Sequence, residues 1–355
     1  MDNRTTYRLK CVLASAWDGL RRVTRPFRRK HFEAYRELIE LIDLYSSLDR
    51  AAEVLLLGDS VVERISRYDG DQRTLDRILG ELFTGQLRVG CISHTAYNLR
   101  IFEALLRALG QLPARPKLII LPINLRSFSP QWFHNPVWQL THEMDSIEQF
   151  IAKGGKNPML ERESRSTYSL GWYFVPVKYP ASDFTRLGQF LEVIYAKPKR
   201  AKPKNEAARL QRKKQIFIFH YLHPLSPTHP LLGNLKRVIE LSANLRVALL
   251  AYFTPLNYQA GQKIVGEAFL ETVNANLALV QEVFASAAGK ETKRLVDFSQ
   301  LLSVEHFFHE EEASEHLNQE GRRILAEAIA GEIRNLLGEQ DEGFRRDTPA
   351  PSTAG

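Results

Sequence analysis

Cysteine is almost missing from this sequence. The two present, Cys11 and Cys91, form no CxxC pair and no metal-ligand pattern. That excludes a disulfide framework and points to a reducing compartment. Cys91 stands in an apolar run, the usual setting of a small core residue. Long apolar runs are missing too. No stretch reaches the roughly 18 residues that a membrane-spanning helix needs. The stretch Cys11–Trp17 is too short for the apolar part of a signal peptide and is followed at once by Asp18. A cytoplasmic protein is therefore the expectation. Zinc-finger spacing, an RNP-type aromatic motif and a helix-turn-helix pattern are all absent, so nucleic acid is not an expected partner.

What is present is an ordinary globular composition. The chain has 355 residues, 44% of them hydrophobic and 25% charged. The net charge of +7 is local in origin. One basic block runs from Arg4 to Lys30 and another from Lys197 to Lys214. The first interleaves Trp17, Leu20, Val23 and Phe27 with arginines. It reads either as a helix packed on a domain edge or as an amphipathic helix in peripheral contact with a membrane.

The pattern along the chain predicts an α/β architecture. Residues 1–50 read as a helical extension, with Phe32, Tyr35, Leu38, Ile39, Ile42 and Tyr45 at helical spacing. Short apolar runs at Val54–Leu57, Leu87–Ile92 and Lys117–Asn124 read as strands covered on both faces. Helical stretches at Leu75–Phe83 and Tyr97–Leu109 separate them. Strand alternating with helix is the mark of a doubly wound, mostly parallel sheet. Residues 126–215 break the pattern with aromatics, prolines and charges, and read as a large insertion. Within it, Lys197–Lys204 reads as a basic, proline-bearing linker, and Trp132, Phe133, Trp138, Trp172, Tyr173 and Phe174 as pocket lining or core. The pattern resumes with a helix at Leu231–Ala243, a strand at Leu245–Phe253, one long helix at Ala260–Ala288, a strand at Arg294–Phe298 and a helix at Gln319–Leu337. The α/β domain is thus expected over 51–338, with a disordered tail over 339–355.

Open α/β sheets bind ligands outside the carboxyl ends of their strands. Four polar features fall at such positions: Ser60 after the first strand, Gly90–Ser93 on the second, Asn124 after the third, and His316 before the last helix. Ser60 reads as a nucleophile needing a base, or as a helix N-cap. His94 reads as a substrate contact or a loop residue. His220, His223 and His229 cluster around prolines, but their spacing fits no zinc pattern. No metal or other cofactor is expected.

The run Val54-Leu-Leu-Leu-Gly-Asp-Ser-Val-Val62 resembles the first block of the SGNH/GDSL hydrolase superfamily. Glu315-His316-Leu317-Asn318-Gln319-Glu320-Gly321 resembles its last block, and Ile123-Asn124-Leu-Arg-Ser-Phe-Ser-Pro130 its third. The Asn-x-Arg-x-Phe-Ser-Pro pattern is similar to the alginate O-acetyltransferase and DltD-like branches. The resemblance covers roughly 52–127 and 245–335. It implies a three-layer α/β/α, flavodoxin-like fold. It also implies Ser60 as nucleophile, His316 as base, and an oxyanion hole drawn from Ser60, Gly90, Ser93 and Asn124. The family acid would stand at Ala313. Glu312 is the expected substitute, with Asp297 or a bare Ser-His dyad as alternatives. The implied activity is hydrolysis of a small-molecule, lipid or carbohydrate ester. The alternatives are O-acyl transfer to a glycan or other hydroxyl, and a non-catalytic binding or assembly role.

Overall fold

A computed structural model of the protein describes residues 33–34, 36–133, 140–155, 161–162, 205–289 and 292–346. The basic stretch around Trp17–Arg29, the linker Lys197–Lys204, and Trp138, Trp172, Tyr173 and Phe174 lie outside them.

After helix α1 (Arg36–Tyr45) comes strand β1 (Val54–Gly58), then α2 (Ser60–Glu63), α3 (Leu75–Leu82), β2 (Val89–Ser93), α4 (Leu99–Leu109) and β3 (Leu118–Ile123). The insertion contributes α5 (Pro130–Phe133) and α6 (Thr141–Ala152), and α7 (Glu206–Tyr221) starts inside it. Then follow α8 (Pro230–Asn244), β4 (Ala248–Phe253), α9 (Tyr258–Val265), α10 (Glu267–Ser286), β5 (Lys293–Asp297) and α11 (Gln319–Arg346).

The five strands form one sheet in the order β2-β1-β3-β4-β5, all pairs parallel. Alternating side chains explain why the central strands are apolar throughout. Leu55, Leu57, Ile119, Leu121, Leu249 and Ala251 pack on one face with α1, α4, α8 and α10. Val54, Leu56, Leu118, Ile120, Leu250 and Tyr252 pack on the other with α2, α3 and α11. Each strand residue thus meets a helix layer, whichever way it points. The three-layer α/β/α architecture expected from the sequence is the one observed.

Chain direction across the sheet reverses between β1 and β3, because β2 lies on one side of β1 and the remaining strands on the other. The crevice at the carboxyl ends of those two strands is the topological switch point. Ser60 follows β1 and Asn124 follows β3, so both stand at its mouth.

Three boundaries differ from the sequence expectation. The long helix over Ala260–Ala288 is broken at Gly266, whose φ of 93° is accessible to glycine but not to a helical residue. Strand β4 begins at Ala248, because Leu245 closes α8 and Arg246 turns with φ 58°. Helix α11 runs past Gly338 to Arg346, into the expected tail. No helix among the described residues is long and apolar enough to cross a membrane.

Candidate active site

Ser60 owes its position to the turn between β1 and α2. Asp59 caps that helix: its Oδ1 accepts from the Val61 N–H at 2.8 Å. Ser60 is the first helical residue, so its hydroxyl is not spent on the cap. It lies 3.1 Å from His316 Nε2, joining residues 256 positions apart. Ser60 is only 4% exposed. Gly58 is required by close approach, since a Cβ there would lie 2.8 Å from both Ser93 Cβ and Val62 Cγ2. The Ser60 N–H makes no hydrogen bond among the described residues.

His316 is held by a loop, not by a regular element. The backbone pairs across it: Phe308 N–H donates to His316 O at 2.9 Å, and Asn318 N–H to His306 O at 3.0 Å. Asn318 Nδ2 donates to Glu305 O at 2.6 Å, while its Oδ1 accepts from the Gly321 N–H at 3.0 Å. A Cβ on Gly321 would lie 2.5 Å from His306 O. This explains the His-Leu-Asn-x-x-Gly spacing: asparagine ties the helix start to the preceding loop, and glycine lets them touch. Behind it, Arg322 is fully buried. Its guanidinium reaches Leu317 O, Arg73 O, Asp71 O and Asp69 Oδ2. One side chain thereby fastens the residue after His316 to the segment downstream of Ser60.

Burial, foremost, and then the cations Arg126 and Arg64, with a contribution from His309, lower the His316 pKa to about 3. The imidazole is therefore neutral near pH 7, the form that accepts a proton.

Asn124 sits at the end of β3. Its Oδ1 accepts from the Arg126 N–H at 3.0 Å, and its Nδ2 donates to Asp59 Oδ2 at 2.9 Å. An amide nitrogen carries two hydrogens, so one remains. Burial raises the Asp59 carboxyl pKa, against the pull of the Val61 N–H, the Asn124 amide and Arg126.

Gly90 and Ser93 are not placed as expected. Gly90 pairs with Leu55 and Ser93 with Gly58, so Gly90 lies about 10 Å back along the strand from Ser93. Its missing Cβ serves packing instead: one there would lie 2.9 Å from Ala52 Cβ and 3.0 Å from Leu44 Cδ1. At Ser93 the parallel ladder decides. The His94 N–H turns back to Gly58 O at 3.3 Å, and successive N–H groups alternate sides, so the Ser93 N–H faces away from β1. His94 Nδ1 meets its neighbour's carbonyl, Thr95 O, at 3.0 Å.

The expected acids are also corrected. Glu312 is exposed and makes no hydrogen bond to the His316 ring among the described residues. Its carbonyl serves a turn, accepting from the Ser314 N–H at 2.8 Å. Asp297 accepts from the Ser299 N–H at 2.9 Å and shapes the end of β5. Instead, His316 Nδ1 meets Ser314 Oγ at 3.2 Å.

A buried ionic group lies beside the pair. Arg126 Nη1 is 2.8 Å from Glu315 Oε2, with side-chain exposures of 9% and 0%. The Tyr221 hydroxyl donates to the other oxygen, Glu315 Oε1. Burial raises the Glu315 pKa, and Arg126 and Tyr221 oppose the shift. The Arg126 guanidinium carbon lies 4.5 Å over the Trp132 ring, and Trp132 Nε1 donates to His220 Nδ1 at 3.2 Å. Sequence reasoning missed Ser314, Glu315 and Tyr221. The available signal was an acidic residue directly before the histidine, matched by the arginine of Asn-x-Arg.

Of the three clustered histidines, His220 Nδ1 accepts from the Trp132 N–H and His229 Nδ1 caps α8 by accepting from the Leu231 N–H at 3.2 Å. No group of three or more potential metal ligands occurs among the described residues. Phe133 packs its ring on His229 at 4.7 Å.

No protein-family model matches the chain, and no curated protein matches it. Among solved structures it is similar to Axe2, an acetylxylan esterase from Geobacillus stearothermophilus. The identity is 12% and the TM-score 0.36, over 79% of this chain and 94% of that one. An Axe2 variant described as an acetyl-xylooligosaccharide esterase is similar at 13% identity and a TM-score of 0.36, with the same coverage. At that identity and score these likenesses add nothing to the reading of Ser60 and His316, which stands on this chain's own geometry.

Proposed function

We propose that this chain is a serine-nucleophile enzyme of the SGNH type that cleaves ester (acyl) bonds through an acyl-enzyme. The observation that carries the reading is the 3.1 Å contact between Ser60 Oγ and a neutral, largely buried His316. A serine hydroxyl needs such a base to attack at neutral pH.

In the proposed reaction Ser60 Oγ bonds to the acyl carbon as its proton passes to His316 Nε2. The carbonyl oxygen becomes an oxyanion, held by the Ser60 N–H and the remaining amino hydrogen of Asn124. The bond to the leaving alkoxide then breaks, and His316 returns the proton to that oxygen. Water, activated by the same imidazole, releases the acid and restores Ser60. A substrate hydroxyl entering in place of water gives O-acyl transfer from the same intermediate, and hydrolysis is the reading taken here.

Fluorophosphonate labelling with p-nitrophenyl acetate turnover tests it. Wild-type protein is expected to label at Ser60 and to hydrolyse the ester, and Ser60→Ala to do neither. Folded wild-type protein that neither labels nor turns over would favour a non-catalytic scaffold.

A further inference from the structure

The proposed mechanism leaves one question open at His316. A histidine that takes a proton at Nε2 must carry its own proton at Nδ1, and something must hold it in that tautomer. Carboxylates usually do so, but here Ala313 stands in the family's acid position, Glu312 faces solvent and Asp297 is spent on its own turn.

Resting on that proposed function, we infer that Ser314 is the positioning residue of the site, its hydroxyl accepting the His316 Nδ1–H where a carboxylate would otherwise do so. Three observations carry this. Ser314 Oγ is 3.2 Å from Nδ1. Ser314 is only 8% exposed, so water does not compete freely for the contact. Its rotamer is fixed by a second bond, since the same Oγ accepts from the His316 backbone N–H at 3.2 Å. One lone pair accepts that N–H and the second is open to an Nδ1–H, the direction that a basic Nε2 requires. The ring is then Nδ1-protonated, and the Nε2 lone pair faces Ser60. The reverse arrangement, with Ser314 donating, would put a hydrogen on Nε2 and leave Ser60 without a base.

A neutral acceptor orients the ring but offers no charge to the imidazolium that forms in the reaction. Two cations, Arg126 and Arg64, and the titratable His309 act on the ring. The carboxylates that adjoin His316 and Ser60 in sequence are Glu315, already paired with Arg126, and Asp59, bonded to Asn124. An acid placed at 314 would therefore be the first carboxylate on Nδ1 itself.

The test compares Ser314→Ala, Ser314→Thr and Ser314→Asp with Ser60→Ala, using p-nitrophenyl acetate. Ser314→Ala is expected to lower kcat roughly ten- to a hundredfold with KM nearly unchanged. Ser314→Thr, which keeps the hydroxyl, is expected to restore most of that loss. Ser314→Asp is expected to move the acid limb of kcat/KM to higher pH, because a facing carboxylate favours the charged ring. A residue that merely shapes the turn would not move that limb. Imidazole nitrogen NMR shifts on the unmutated protein provide a readout that survives if a variant fails to fold: Nδ1–H is expected. Wild-type kcat and pH profile in Ser314→Ala would overturn the inference while leaving the Ser60 reading intact, whereas an Nε2–H ring at neutral pH would overturn both. Wild-type activity in Ser60→Ala would instead remove the reading beneath it.

Discussion

Ser60 and His316 touch, yet they are held in different ways. Ser60 stands between a strand and a helix, and its place follows from the sheet register, the Asp59 cap and the missing Cβ of Gly58. His316 stands in a loop, and its place follows from bonds that reach across the sequence: Asn318 to Glu305, Arg322 to Asp69 and Asp71, Glu315 to Arg126 and Tyr221. Regular structure fixes the proposed nucleophile, while side-chain bonds fix the proposed base. The base should therefore be the end that single substitutions disturb most.

The largest effect on stability is expected at the buried pair. Removing one partner from a buried ion pair leaves an uncompensated charge, at about 3–5 kcal/mol. Arg126→Met and Glu315→Gln are each expected to lower urea-unfolding stability, Arg126→Met on that scale and Glu315→Gln by less, because the glutamine keeps an acceptor for Tyr221. Both are expected to depress kcat by shifting the loop that carries His316. The double variant Arg126→Met, Glu315→Leu is expected to regain much of the stability but not the activity. A loss in the double variant equal to the sum of the two single losses would mean that the pair does not act as a unit.

Two glycines compare the two ends directly. A Cβ at Gly321 would meet a backbone carbonyl, His306 O, at 2.5 Å, whereas one at Gly58 would meet side-chain atoms at 2.8 Å. Overpacking of this kind usually costs about 1–3 kcal/mol. Gly321→Ala is expected at the upper end and Gly58→Ala lower, because a methyl on Val62 yields more readily than a paired backbone. Thermal unfolding of the two variants gives the order, and the reverse order would place the rigid end at Ser60.

The same contrast explains what the sequence made legible. The central strands announced themselves as apolar runs because they are covered on both faces, and Ser60 followed from the end of the first. The His-Leu-Asn-x-x-Gly block pointed to His316 because its spacing records a local contact. Gly90 misled because its reason is the packing of Leu44 and Ala52, which no local pattern reveals. Glu315 was hidden because Glu310, Glu311 and Glu312 precede it, and a run of acids reads as a solvated loop. That reading holds for Glu312, while Glu311 faces Lys213 and Lys263 at the surface. It fails for Glu315, which has turned inward onto Arg126.

The smallest expected effect separates that acidic run from the site. If Glu312 held the His316 ring, Glu312→Gln would remove a carboxylate from Nδ1 and lower the ring's proton affinity further. With Glu312 exposed and Ser314 on Nδ1, Glu312→Gln is expected to leave kcat within about twofold, as surface changes away from a site generally do. Its acid limb should match the wild type. The sign of that limb follows from the lowered His316 pKa: the ring stays unprotonated, and so competent as a base, from neutrality down towards about pH 3. An ordinary histidine would begin to lose activity near 6.5. Rate against pH for the wild type and Glu312→Gln, recorded over the range where both stay folded, should therefore superimpose, with no step near 6.5. A step there, or a displaced limb in the variant, would return a carboxylate to the base and make the two ends of the pair less different than their contacts indicate.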